Sequence, residues 1–352
     1  MVKTGRDVEQ AAVQTLQNCL AEVPFIGEVR VQREVYLEGA KLDFIMEVDL
    51  PEGKQVIIGE AKYSGQPRLA REAAYQLLKH TRSIPGSYGV FVAPYISPEA
   101  ASVCLRDGLG YADLAGNCYL SFGRVFIRKE CHTNPFAVRQ ELRTLYSPKA
   151  ERVLRVLLAG PNNRWKTQAL AGEAGVSLGH VAKVKAALRD REWIRVDPEG
   201  FYLSNPEALL TEWAEQNNLH RNRAQDFYAM KDVPEIESRL ADICKEAGVQ
   251  YALTAFSGAA RFAPFVRYQR VYAYIEGPLD ELVASLGLKP VTSGANVSLI
   301  LPHDEGVLYG ATEVDRVRVA SPIQLYLDLR ALRGRGEDAA EFLLKEVIRP
   351  RW

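Results

Sequence analysis

Asp43, Glu60 and Lys62 have the types and spacing for chemistry on a phosphate ester. They lie in the run Lys41-Leu-Asp-Phe-Ile-Met-Glu-Val-Asp-Leu-Pro-Glu-Gly-Lys-Gln-Val-Ile-Ile-Gly-Glu-Ala-Lys62. Residues 42–49 and 55–62 alternate or run apolar around a Pro-Glu-Gly turn, the pattern of a β-hairpin. A hairpin centred between Pro51 and Glu52 sets position 43 opposite position 60. Positions 60 and 62 share a face, because strand side chains repeat every two residues. Two carboxylates and an ammonium then converge on one patch. Hard oxygen ligands suit Mg²⁺, with Mn²⁺ as its substitute. A metal so held polarises a phosphodiester while the lysine orients or activates water. Glu47 and Asp49 fall on the same face as Asp43 and read as solvated strand-end charges.

The surrounding segments supply the elements that must position these groups. A helix is predicted near 6–21, strands near 28–37, 42–49 and 55–62, a helix near 66–83, and a strand over Tyr88–Ala93. This order, with the acid on one strand and Glu60-Ala61-Lys62 on the next, resembles the PD-(D/E)xK nuclease superfamily. The resemblance implies a restriction-endonuclease-like α/β core over residues 1–135 and a Mg²⁺-dependent phosphodiesterase site. It assigns metal binding to Asp43, Glu60 and the Ala61 carbonyl, with Lys62 acting on the attacking water. Superfamily members often carry a glutamate on the first helix, matched here by Glu9. Some carry a glutamine on the helix after E-x-K, matched by Gln76. Two positions depart from the pattern: Leu42 precedes the acid in place of proline, and His80 stands where a tyrosine follows the glutamine.

The chain has 352 residues, enough for two or three domains, with 47% apolar and 25% charged side chains. No apolar run reaches membrane-spanning length, and the N-terminus shows no signal-peptide core. The expected compartment is therefore the cytoplasm. Five cysteines without C-x-x-C spacing argue against a disulfide framework or a structural zinc site. Cys131-His132 would be a metal pair only in isolation, since adjacent residues rarely chelate one ion.

A net charge of zero conceals an uneven distribution. Residues 147–203 carry ten basic groups against six acidic ones, whereas 1–146 balance and the remainder is acidic. The middle segment reads as a winged helix-turn-helix over 147–204. Ser147-Pro148 starts one helix, Thr167 precedes a second, and Ser177 can cap a third running to about Arg191. Ala-Gly-Val-Ser forms the hinge between the last two. Trp193–Leu203 reads as two strands around a second Pro-Glu-Gly turn. Val181, Val184 and Leu188 would be the buried stripe of the third helix. Its other face carries Ser177, His180, Lys183, Lys185 and Arg189, placed for double-stranded DNA, with the basic groups on phosphates.

Residues 205–352 begin with a helical stretch over about 206–246, interrupted near Pro234. An α/β pattern follows, with strands Arg270–Ile275 and Asn296–Leu301, a helix from Ser321-Pro322, a loop at Gly334–Glu337 and a last helix over 338–348. Leu253-Thr-Ala-Phe-Ser-Gly-Ala-Ala260, Ser321-Pro-Ile-Gln-Leu-Tyr-Leu-Asp328 and Gly334-Arg-Gly-Glu-Asp-Ala-Ala340 resemble antitoxin-type regulators of type IV toxin–antitoxin systems. That resemblance, over about 147–350, implies operator binding, a homodimer on a palindromic site and a nucleotidyltransferase-like toxin as functional counterpart. The nuclease-like front is absent from the short antitoxins. The expected protein is α/β and multidomain, and two functions compete. One is a metal-dependent DNA endonuclease to which the winged helix delivers duplex. The other is a non-catalytic transcriptional regulator that keeps the nuclease-like fold as a platform.

Overall fold

The computed structural model describes residues 5–37, 40–130, 145–217, 221–265, 267–332 and 334–352. Two compact units divide the chain, residues 1–143 with 187–192, and 144–186 with 193–352. Among the described residues no helix is long and apolar enough to cross a membrane.

The first unit opens with α1 (Gly5–Ala21), followed by β1 (Val29–Leu37), β2 (Ala40–Leu50) and β3 (Gly53–Ala61). Helix α2 (Pro67–Ser83) crosses over to β4 (Tyr88–Ala93), which lies parallel to β3. Parallel neighbours require such a crossover. Helix α3 (Pro98–Arg106) leads to β5 (Gly110–Asp113), parallel to β4, and β6 (Cys118–Phe122) and β7 (Val125–Lys129) finish antiparallel. Among the described residues these seven strands form one mixed sheet in sequential order. Both faces are covered. Ala12, Val13, Leu16 and Leu20 of α1 pack on Phe44, Met46, Val48 and Ile57, while Ala70, Ala73, Ala74 and Leu77 of α2 pack on Ile58 and Phe91. Adjacent β3 residues thus enter opposite cores, as the two-residue strand period requires.

The second unit begins with α4 (Pro148–Ala159), α5 (Thr167–Glu173) and α6 (Leu178–Asp190), the last of which runs into residues grouped with the first unit. Val181, Val184 and Leu188 of α6 are buried, the stripe expected from their spacing. Then β8 (Ile194–Asp197) and β9 (Gly200–Leu203) pair as an antiparallel hairpin. Asp197 shapes its turn by accepting from the amides of Glu199 and Gly200.

Helix α7 (Pro206–Gln216), β10 (Arg223–Tyr228), α8 (Val233–Ala247), β11 (Gln250–Leu253) and the short α9 (Ala255–Ala259) follow. After β12 (Val271–Glu276) come α10 (Asp280–Leu286), β13 (Lys289–Pro290), β14 (Val297–Leu301), β15 (Thr312–Val314) and β16 (Val317–Val319). Then come α11 (Pro322–Arg330), α12 (Arg335–Leu343), a π-helical turn (Leu344–Ile348) and a 3-10 turn (Arg349–Arg351). The second sheet has the order β13-β10-β14-β12-β11-β16-β15.

Two expectations for this part are corrected. The stretch 206–246 is not one interrupted helix, because Arg223–Tyr228 is a strand between β13 and β14. Its Arg-Ala-Gln start is compatible with helix. The Val-Ser-Leu-Ile-Leu strand beside it, however, has an edge of amides and carbonyls that must be paired once buried. Gly334–Glu337 is not a loop either: Gly334, at φ 72°, turns the chain and the last helix starts at Arg335.

Candidate functional site

The β2–β3 hairpin has the register expected from its turn, with Leu50 opposite Gly53 and Phe44 opposite Gly59. The next pair would be Asp43 and Glu60, and there the ladder ends. Phe44 covers Gly59 so closely that a Cβ on Gly59 would lie 1.9 Å from its ring. Past this point β3 continues on β4, with Glu60 beside Phe91 and Ala61 beside Val92. Asp43 Oδ2 accepts the Ala61 amide at 2.8 Å, so the acid closes the end of the hairpin. The β1–β2 ladder also skips one pair, Glu34 with Asp43, and Glu34 has a φ of 48°. Left-handed backbone at a non-glycine residue costs about 1–2 kcal/mol, so the sheet is locally distorted beside the acid.

Glu60 and Lys62 share the face covered by α2. The Lys62 ammonium lies 2.8 Å from Glu60 Oε1 and 3.4 Å from Glu72 Oε1, and it donates to Gln76 Oε1 at 3.2 Å. Three of the residues expected at the site, Glu60, Lys62 and Gln76, are therefore in one network. Asp43 reaches it through the Ala61 backbone and through its charge on Glu60. Glu9 lies half-buried on α1, and its carboxylate acts on the Lys41 ammonium, two residues from Asp43.

Glu60 is only 6% exposed. Burial pushes its carboxyl above the usual glutamate range; the Lys62 ammonium pulls it back, and the Asp43 charge raises it again. For Lys62, burial works against the charge, but Glu60 and Glu72 together outweigh it and its pKa is raised. Lys62 is thus a charged donor at neutral pH, suited to orienting water or a phosphate oxygen.

Glu72 was not anticipated. It stands four residues before Gln76, on the same face of α2, and that i, i+4 relation was the available signal. Asp113 and Asn117 also carried no expected role. Asp113 is fully buried and accepts from the Asn117 amide, the Asn117 side chain and the Ile96 amide, tying the β5–β6 turn to the loop after β4. His80, in place of the tyrosine, is buried, and burial lowers its pKa.

Among the described residues no group of three or more His, Cys, Asp or Glu is placed to share a metal ion. An ion on this patch would rest on Asp43, Glu60 and a backbone oxygen, completed by water or substrate. Mg²⁺ is commonly held in this way, by one or two carboxylates with phosphate and water. Burial raises Glu60 most and the Asp43 charge adds to it; a divalent cation would offset both, so the donor set fits. Cys131 and His132 lie outside the described residues.

The candidate DNA-facing residues separate into two groups. Lys183 and Arg189 are exposed on α6. Lys185 is half-buried, with its ammonium 4.5 Å from the Phe201 ring centroid in β9. Ser177 Oγ lies 2.8 Å from His180 Nδ1, a local contact at the start of the helix. The basic excess of 147–203 is smaller in space than in sequence. Arg152 pairs with Asp304, outside the segment, and Arg155 is buried against Gln324. Lys149, Lys166 and Arg195 remain exposed beside Lys183 and Arg189.

No curated protein matches the chain. Among solved structures, a repair endonuclease from Pyrococcus abyssi is similar at 16% identity and a TM-score of 0.24, over 30% of this chain and 45% of that one. EndoMS in complex with double-stranded DNA is similar at 16% identity and a TM-score of 0.23, over 30% and 44%. The chain thus spans less than half the length of these structures, and likeness at this level carries no argument about chemistry. The match at the C-terminal end is of a different kind: residues 202–349 fit the model of a family described as "Transcriptional regulator, AbiEi antitoxin, Type IV TA system".

Proposed function

We propose that this chain is a DNA-binding protein whose first 135 residues form a metal-dependent endonuclease. The observation that carries the reading is the Lys62 ammonium at 2.8 Å from a buried Glu60, on a patch whose second carboxylate is Asp43. Mg²⁺ or Mn²⁺ bound there would polarise the scissile phosphodiester and supply an activated water. Asp43, Glu60 and the Ala61 carbonyl would hold it. Lys62 would orient the attacking water, and Gln76 would steer Lys62 or a phosphate oxygen. Glu9, whose carboxylate acts on Lys41, is assigned a supporting role on a metal-bound water. The three helices and hairpin of 147–204 are read as a winged helix. Ser177, His180, Lys183, Lys185 and Arg189 form its DNA-binding set, with Lys183 and Arg189 on phosphates. Double-stranded DNA as ligand, a homodimer on a palindromic site and a nucleotidyltransferase-like toxin as counterpart belong to the same reading.

A second reading has its own observation. Every member of the cluster already has a partner within the chain: Asp43 has the Ala61 amide, and Lys62 has Glu60, Glu72 and Gln76. Such a closed network also serves a non-catalytic regulator that uses the fold as a platform. Incubation with supercoiled plasmid in Mg²⁺, Mn²⁺ or EDTA separates the two. The nuclease nicks with metal only. Asp43→Ala and Lys62→Ala lower the rate by at least about a hundredfold, the scale of losing a transition-state contact of about 3 kcal/mol, while DNA binding persists. Metal-independent binding without cleavage, unchanged in both variants, would establish the regulator instead.

A further inference from the structure

Two tyrosines adjacent in sequence to members of the Lys62 network take no part in the core clusters. Tyr63, directly after Lys62, is 60% exposed, and Tyr75, directly before Gln76, is 74% exposed. An aromatic ring left in water forgoes the stabilisation it would gain by burial, about 1.5–3 kcal/mol for a side chain of this size.

Neither ring sits on a loose segment. The Lys62 amide donates to the Val92 carbonyl at 2.9 Å and the Ser97 amide donates to the Gly65 carbonyl at 3.0 Å, so backbone bonds hold both sides of Tyr63. Gly65 is packed so tightly that a Cβ would fall 2.1 Å from the Tyr95 carbonyl oxygen. Tyr63 is among the groups that act on Arg68, in the first turn of α2. Tyr75 projects from the middle of α2, on the face that carries Glu72, three residues before it, and the exposed Lys79, four residues after it. Glu72 and Gln76 both touch Lys62.

Rigid, exposed rings interleaved with basic groups are the means by which proteins hold unstacked bases, each stack contributing about 1–3 kcal/mol. The faces of bases inside a continuous duplex are covered by their neighbours and cannot meet such rings. We infer that the site acts on DNA with unpaired nucleotides at the point of cleavage, Tyr63 and Tyr75 stacking on the bases that flank the scissile phosphate. This rests on the nuclease reading of Asp43, Glu60 and Lys62, but the two can fail separately.

The test uses the full chain without divalent metal, and 2-aminopurine placed in a single-stranded oligonucleotide, in a duplex with a short unpaired loop, and in a continuous duplex. Stacking on a ring quenches the fluorophore. The expected result is quenching with the first two probes. Tyr63→Ala or Tyr75→Ala should raise the dissociation constant for them about 5- to 100-fold. Tyr63→Phe and Tyr75→Phe should restore it, because the ring and not the hydroxyl does the stacking. Quenching that survives both alanine variants, or no quenching at all, overturns the inference. Cleavage assays with Mg²⁺ on the same three substrates then judge the nuclease. Tyrosine-dependent quenching without cleavage retains the stacking site and removes the nuclease. Cutting of the continuous duplex as fast as the looped one, unaffected by the tyrosine variants, retains the nuclease and removes the stacking site.

Discussion

At the scale of single residues the site is defined by a carboxylate held where its charge is unwelcome. Burial raises Glu60, Lys62 only partly compensates, and Asp43 adds to the shift. A raised carboxyl favours its protonated form in the folded chain. Its contribution to stability is full below the ordinary glutamate range and is lost as pH rises through the raised pKa. Once deprotonated, Glu60 adds its charge beside Asp43, which a divalent cation would offset. Mn²⁺ should raise the thermal midpoint of the chain at about pH 8 by mass action, and by much less at about pH 5, where protons compete for Glu60. Asp43→Asn should abolish the shift. A pH-independent increase, or one that survives in Asp43→Asn, would place the metal elsewhere. In the sequence, Asp43, Glu60 and Lys62 were legible because strand periodicity and a turn centre fix which residues face each other. Glu72 and the buried Asp113–Asn117 pair were not, because charge at a helix surface and in a tight turn looks the same whether solvated or engaged.

At the scale of elements, α6 shows how a helix can carry a basic face that is only partly available. Val181, Val184 and Leu188 fix its rotation by burial, which leaves Lys183 and Arg189 in solvent. The Lys185 side chain instead lies against Phe201, a contact of about 0.5–2 kcal/mol that must be released before it can reach a phosphate. Lys183→Ala and Arg189→Ala should each weaken binding to any duplex and reduce the slope of log affinity on log salt by about one. Lys185→Ala should reduce that slope by clearly less. Fluorescence anisotropy across a salt series measures all three. Equal effects in the three variants would mean that Lys185 leaves Phe201 on binding, and no effect in any would remove α6 from the interface.

At the scale of the whole molecule, the three-helix module and the C-terminal sheet belong to one unit joined by buried polar contacts. Arg155 of α4 is almost fully buried, reaches Gln324 of α11 with two nitrogens at 3.1 and 2.7 Å, and lies 4.9 Å over the Trp213 ring of α7. Burial pulls its pKa down, yet a guanidinium stays charged. Gln324 in turn donates to Asp328, which also accepts from Thr254 and Tyr274. Burial pushes Asp328 up to about 6, against those hydrogen bonds and the Arg155 charge. Arg155 also lies 3.7 Å from the buried Glu151 carboxylate, and Arg155→Met should cost about 3 kcal/mol, the scale of removing one side of such a buried pair. Because it also removes a charge that lowers Asp328, the loss should be larger at about pH 7.5 than at about pH 5. Urea denaturation followed by tryptophan fluorescence at the two pH values reports both, and a pH-independent loss would show that Asp328 does not respond to Arg155.

Local information determined much of this protein. Apolar periodicity, proline starts and Pro-Glu-Gly turns were enough for α1 through β4, for the hairpin register that aligns Asp43 with Glu60, and for the three helices and hairpin of the middle segment, because each rests on contacts between residues near in sequence. Tertiary structure decided the rest. Strand β10 exists because β14 needs a partner on that side, and no pattern within Arg223–Tyr228 announces it. The basic excess of 147–203 shrank because Arg152 meets Asp304 and Arg155 is buried against Gln324, partners far away in the sequence. The Lys62 cluster acquired Glu72 only when α2 packed across β3, which also brought the expected Gln76 within 3.2 Å. Burial and charge pairing are properties of the folded neighbourhood, and a residue's type alone does not reveal which of its possible partners the fold will bring within reach.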